Sequence, residues 1–288
     1  MFRSLLSILS VATLVAAAPK QDWTSVADAL GRAGTLQPDG VYKVSFPRSD
    51  LVVTADGVSI RPALALGSWI AFNRSGHAMA MGDLVLLESE VDAVIGELQK
   101  GRIEQTALHN HLIGESPRVM YLHFSGHGDA ATLARTLHDA LATTKTPMGL
   151  PPAPTAALID LPLSDLERII GHSGKGNGVV YQFAIPRAEK ITEHGMEIPA
   201  SMGLATAINF QPTGNGRAAI TGDFVLIASE VNPVIRALRT GGIAVTAVHS
   251  HMLEEQPRLF FMHFWANDDA KKLATALRSA LDRMHIKK

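Results

Sequence analysis

One nineteen-residue pattern occurs twice in this chain, and each copy carries three histidines and a glutamate at matched positions. TALHNHLIGESPRVMYLHF runs from Thr106 to Phe124, and TAVHSHMLEEQPRLFFMHF runs from Thr246 to Phe264. His109, His111, Glu115, Pro117, Arg118 and His123 return as His249, His251, Glu255, Pro257, Arg258 and His263. The likeness extends outward: Gly82-Asp83 matches Gly222-Asp223, Ser89-Glu90-Val91 matches Ser229-Glu230-Val231, and Pro47-Arg48 matches Pro186-Arg187. A repeat of this length constrains the chain to two copies of one supersecondary unit. The expected layout is a signal peptide over 1–18, a first unit over 19–143, a proline-rich linker over 144–155 and a second unit over 156–288.

Within each unit the elements alternate. Trp23 to Gly34 and Leu163 to Gly174 read as opening helices, and Val41 to Phe46 and Val179 to Ile185 as strands. Val91, Val94, Ile95 and Leu98 lie along one face of a helix that Ser89, or Ser229 in the second copy, is placed to cap. The histidine motif follows as a hairpin, and Asp129 to Leu141 and Asp268 to Leu281 close each unit as amphipathic helices. The fold class is α+β: a tandem duplication of a unit in which helices pack on a mainly antiparallel sheet.

Side chains alternate along a strand, so His109 and His111 are expected to share a face. If Gly114 pairs with Arg118 around a three-residue loop, His109 falls opposite His123, and His249 falls opposite His263 in the same way. Each hairpin would then present three imidazoles together, with Glu115 or Glu255 as a fourth ligand or as a base. Imidazole and carboxylate suit zinc, copper, iron, manganese or nickel without selecting among them. The chain has no cysteine, so a transition metal here must be held by nitrogen and oxygen, and stability cannot come from disulfides.

Other polar repeats have plainer readings. Glu90 and Glu230 complement a helix N-terminus, and Asp83 and Asp223 follow glycine and read as turn residues. His127 is an accessory candidate in the first unit only, whereas His77, His138, His172, His194 and His285 have no counterparts and read as surface residues. Gly174 to Gly178 lacks the lysine-hydroxyl ending of a phosphate loop and reads as a turn.

Arg3, the apolar run Leu5 to Val15 and the small residues Ala16 to Ala18 have the layout of a cleaved secretory signal. The expected location is therefore periplasmic or secreted, with no stable membrane insertion after cleavage. A formal charge of −1 leaves no electrostatic footprint for nucleic acid.

At both SEV-helix segments and both His-x-His…Glu-x-Pro-Arg…His-Phe hairpins, the chain resembles the LppY/LpqO family of bacterial exported proteins and lipoproteins. That family has no firmly assigned activity. The resemblance implies export and a duplicated architecture, although this chain lacks the cysteine for lipid attachment. His109-x-His111-x3-Glu115 is also similar to part of the cupin metal motif, but the third histidine follows too soon and the helices do not suit an all-β barrel. A further similarity, to zinc endopeptidases that cut peptidoglycan, lacks their His-x3-Asp segment.

Three functions compete on these residues. The first is an exported protein that binds a divalent transition metal at two duplicated sites. The second is a periplasmic metalloenzyme, a hydrolase or oxidoreductase with Glu115 or Glu255 as base. The third is a module that binds a small envelope ligand without metal.

Overall fold

The computed structural model describes residues 23–75, 77–149 and 158–287. The expected signal peptide and part of the expected linker lie outside the described residues. The first repeat runs α1 (Thr24–Leu30), β1 (Thr35–Leu36), β2 (Tyr42–Pro47), β3 (Val53–Ala55), β4 (Val58–Ile60), α2 (Pro62–Ala65), β5 (Gly67–Ser75) and β6 (His77–Leu87). It ends with α3 (Val91–Lys100), β7 (Glu104–His109), β8 (Val119–Gly128) and α4 (Ala130–Ala142). The second runs α5 (Leu163–Ile170), β9 (Lys175–Asn177), β10 (Val180–Pro186), β11 (Thr192–Glu193), β12 (Met196–Glu197), β13 (Ala205–Gly214) and β14 (Arg217–Leu226). It closes with α6 (Ala228–Thr240), β15 (Ala244–His249), β16 (Phe260–Asp269) and α7 (Ala270–Leu281).

Each repeat builds a six-stranded sheet in the same order, β1-β2-β5-β6-β8-β7 and β9-β10-β13-β14-β16-β15. All neighbours in both sheets are antiparallel. The fold is therefore the expected α+β duplication, and the strand order is identical in the two halves.

Alternation along the strands divides each sheet into two buried faces. Leu84 and Leu86 of β6, with Leu122 and Phe124 of β8, pack under Val94, Leu98 and Leu137 of the helices. Phe224, Leu226, Met262 and Phe264 do the same under Val234, Leu238 and Leu277. The alternate residues face the other repeat. Met79 and Met81 pack with Val225, Leu259 and Phe261, while Val85, Val119 and Tyr121 pack with Ala219 and Trp265. The molecule is thus a four-layer sandwich, helices outside and two sheets face to face, with the interface between repeats in the middle.

Polar groups fix how the sheets meet. Gln211 Nε2 donates to Ser59 O at 2.8 Å, and Gln211 Oε1 accepts from Arg61 N at 2.9 Å. Asn209 Nδ2 donates to Leu64 O at 3.0 Å, and Gln182 Nε2 to Ala63 O at 2.8 Å.

Two buried ion pairs, one per repeat, join a sheet to the helix that follows it. Arg48 Nη1 donates to Val85 O at 2.7 Å and to Glu90 Oε2 at 2.8 Å. Arg187 Nη1 reaches Val225 O at 2.7 Å and Glu230 Oε2 at 2.6 Å. The same glutamates accept from Leu87 N and Ile227 N, each at 2.9 Å, so they cap the helices by reaching backward. This corrects the expectation that Ser89 and Ser229 are the caps: Ser229 lies inside α6. Ile227 occupies the N-cap position, so Ser229 falls within the first turn, past the place from which a cap side chain accepts.

Candidate metal centre

The histidines are positioned by a hairpin whose geometry differs from the expected one. His109 ends β7, and β8 begins at Val119, so the connection is a nine-residue loop rather than three. His109 lies opposite Tyr121, and Ala107 opposite His123. The second copy pairs His249 with Phe261 and Ala247 with His263. The register is two residues away from the expected one. A two-residue slip preserves the alternation of faces, so the third histidine stays on the same side of the sheet as the first.

Each loop is tied down in the same way. Ser116 exchanges two backbone hydrogen bonds with Thr54, both 2.9 Å, and Gln256 exchanges two with Thr192, at 3.0 and 2.7 Å. Asn110 Nδ2 donates to Val119 O at 2.8 Å, and Ser250 Oγ to Leu259 O at 3.2 Å. The different residues at these matched positions therefore make the same bond. Glu115 Oε1 accepts from Val119 N at 3.2 Å, and Glu255 Oε1 from Leu259 N at 2.8 Å. The structure thus places these two glutamates at the closure of their own loops, and neither belongs to the compact group of donors described next.

The three-histidine sets do not form separate centres. Face-to-face packing of the sheets brings all six imidazoles into one cluster between the repeats. His109 meets its counterpart His249 with ring centroids 3.7 Å apart. His111 lies 3.7 Å from His263, and His123 lies 3.6 Å from His251. The last two contacts exchange when the repeats are exchanged, and the first maps onto itself. A pseudo-twofold axis therefore passes between His109 and His249. Tyr121 backs His111 at 3.3 Å and Phe261 backs His251 at 3.7 Å, again as equivalents. One potential ligand atom from each of His109, His249, His251 and His263 lies within 4.8 Å of the others.

Two residues that the sequence reading assigned to turns belong to this site. Asp83 is in the middle of β6, opposite His123, and Asp223 is in the middle of β14, opposite His263. Being cross-strand partners of those histidines, they present their carboxyls to the same inter-sheet space. Asp83 Oδ1 lies 3.8 Å from His123 Nε2. Asp223 lies 3.8 Å from both His251 Nε2 and His263 Nδ1. A signal was present in the sequence: aspartate is the one charged residue in the mainly apolar runs MAMGDLVLL and AAITGDFVL.

Hydrogen bonding fixes some ring states and leaves many donors and acceptors bare. His263 Nδ1 donates to Gly222 O at 2.8 Å, which directs the lone pair of Nε2 inward. His109 Nδ1 lies 3.3 Å from Asn110 O, which orients its Nε2 in the same manner. His249 Nε2 and His251 Nε2 are 2.8 Å apart, a distance at which one must carry a proton unless an ion lies between them. The Nε2 atoms of His109, His111, His123 and His263 are buried without a hydrogen-bond partner, as are Oδ1 of Asp83 and of Asp223. Buried polar atoms ordinarily find partners, so such a concentration calls for an explanation.

Burial sets the electrostatics. Desolvation pushes His109 down to about 4, His249 to about 2 and His263 to about 3. His111, His123 and His251 are also held well below the ordinary imidazole value, first by burial and then by their neighbours. All six rings are therefore neutral at pH 7, the form that binds metal. Burial raises Asp83 to about 8 and Asp223 well above the usual carboxylate range, and the nearby Asp83 raises Asp223 further.

Space at the cluster is small. A cavity of about 10 Å³, lined in part by His123, His251, Met81 and Phe261, has room for roughly one water.

The chain belongs to the family described as Domain of Unknown Function (DUF1259). The family profile matches residues 24–143 and again 164–283, one match per repeat. No curated protein matches the chain. Among solved structures, the trimeric bacterial microcompartment shell protein PduB is 14% identical, with 86% of this chain and 88% of that chain covered and a TM-score of 0.20. EtuB from Clostridium kluyveri is 10% identical, with 87% and 90% covered and a TM-score of 0.21. TM-scores this low do not amount to a shared fold.

Proposed function

We propose that this protein binds a divalent transition metal at a single centre built by both repeats. The observation that carries this reading is the cluster of six neutral imidazoles, four of which, His109, His111, His123 and His263, have a buried Nε2 without a hydrogen-bond partner. Neighbouring ligands of one ion at zinc–nitrogen distances stand roughly 3 Å apart and opposite ones about 4 Å. The four-nitrogen group, within 4.8 Å throughout, needs only a small contraction to meet that geometry. A buried apolar use of six histidines would leave those nitrogens desolvated for nothing. The donor set of imidazole and carboxylate fits zinc, copper, iron, manganese or nickel.

Binding, rather than turnover of a sizeable substrate, is favoured by the one-water cavity at the rings. Carriage, storage or sensing of the ion outside the cytoplasm accords with the leader-like residues 1–18 and with the resemblance to the LppY/LpqO proteins, and export belongs to the same proposal. The deciding experiment is elemental analysis of the full chain purified without chelator, followed by titration of the stripped protein with zinc and copper. Stoichiometric, tightly held metal is expected, and His251→Ala should weaken it at least tenfold. A stripped protein that takes up no ion at neutral pH would sink the reading.

A further inference from the structure

We propose that the cluster is a two-ion centre in which Asp83 and Asp223 complete the ligand set and the axial pair His109 and His249 lies between the ions. The inference rests on the metal-binding reading above and extends it to stoichiometry and ligands.

Donor number is the first ground. A four-coordinate ion held by nitrogen and oxygen uses four protein donors, or three with one open position. The compact group of His109, His249, His251 and His263 would occupy one ion. The pseudo-twofold axis carries that group onto His249, His109, His111 and His123, which shares its two axial members. One ion on the first group leaves His111 Nε2, His123 Nε2, Asp83 Oδ1 and Asp223 Oδ1 buried and without a partner. A second ion engages them: with two ions present, each takes one axial histidine, two of the other four histidines and one aspartate, four donors apiece, so that the same axis relates the ions and the repeats.

Distances supply the second ground. The 3.8 Å separations between Asp83 and His123 Nε2, and between Asp223 and His251 Nε2, are too long for hydrogen bonds. They fall in the span of roughly 3.3–4.1 Å that separates two ligands of a common ion, given metal–ligand distances near 2.0–2.1 Å. Each aspartate is the cross-strand partner of a histidine from its own repeat, so the sheet itself holds carboxylate and imidazole at that spacing.

Charge is the third. Asp83 and Asp223 are buried near each other among the rings; Lys43 offsets the charge of Asp83 in part, Asp223 has the like-charged Asp83 acting on it, and a divalent ion beside each supplies the missing positive charge.

The test uses the full chain, stripped with chelator and then loaded separately with zinc and with copper(II). Two zinc ions per chain are expected by elemental analysis after desalting. Copper-loaded protein should give an electron paramagnetic resonance signal weaker than its copper content, because adjacent ions couple. Asp83→Asn with Asp223→Asn should lower the zinc content from two to one or none, while Glu88→Gln, at an exposed position, should leave it at two. One ion per chain with an uncoupled copper signal would overturn the two-ion centre and leave the metal reading standing. No bound ion would overturn both. Stoichiometry and coupling are read on the unmutated chain, so they decide the matter even if the double variant does not fold.

Discussion

At the scale of single residues, the cluster predicts its own pH dependence. In the metal-free protein every one of the six histidines is held below its ordinary 6.5. The folded state then refuses protons that the unfolded chain accepts, so stability is intact above about pH 6.5 and is lost as pH falls below it. The aspartates act with the opposite sign. Their pKa values are raised, so their contribution is present below the ordinary 3.8 and is lost as pH rises, toward about 8 for Asp83. Thermal melts in chelator from pH 5 to 9 should show a maximum between these arms. Asp83→Asn with Asp223→Asn should flatten the alkaline arm and keep the acid one. An acid arm that persists unchanged after all six histidines are replaced would count against this account. The buried pairs give a second prediction. Glu90 is drawn below its usual value by hydrogen bonds from Arg48, Leu87 N and Lys145 N, against the cost of its burial. Replacing Arg48 with methionine strands that carboxylate, and denaturant unfolding should show a loss of about 3–5 kcal/mol.

Elements explain why the sequence disclosed some of this and not the rest. The hairpin was legible because histidines at alternate positions share a face whatever the loop does. Loop length was not, since the nine residues 110–118 are held by β3, a strand distant in sequence that the motif itself does not mention. Asp83 was misread because glycine before aspartate is a turn signature. Here Gly82 serves instead to let β6 pass close to its neighbours, for an added Cβ would collide with Trp69 O and the Phe124 ring. Gly222 is tighter still, against Ala207 O. Because backbone cannot yield there as a flexible side chain can, Gly222→Ala should cost about 1–3 kcal/mol or more in urea unfolding. Gly40→Ala is a useful contrast, since no atom crowds that position. Any loss there would come from its positive φ of 84° rather than from a clash. Similar losses at both sites would show that strand packing is not what selects glycine at Gly222.

The whole molecule shows what a duplication can hide. Comparing one repeat with the other reveals which residues recur, but two triads read this way remain two triads. Their fusion depends on the sheets meeting face to face, a contact encoded by residues such as Tyr121, Val85, Phe261 and Val225 that look like ordinary strand core in either copy. An ion ligated by both repeats should therefore act as a clasp across their interface. Ligand that binds only the folded state adds about 2.7 kcal/mol at a free concentration one hundred times its Kd. For a chain of this size such a gain corresponds to a rise in melting temperature of roughly 5–10 °C. The sharper form of the test places a protease site in the 150–157 segment and cuts the chain after folding. The two halves should stay associated through the buried sheet faces, and zinc should raise the denaturant concentration that separates them. His123→Ala in one half should reduce that effect as much as His263→Ala in the other, because the axis makes them equivalent. If zinc stabilises each separated half and leaves their association unchanged, the histidines serve two private sites and the shared centre is wrong.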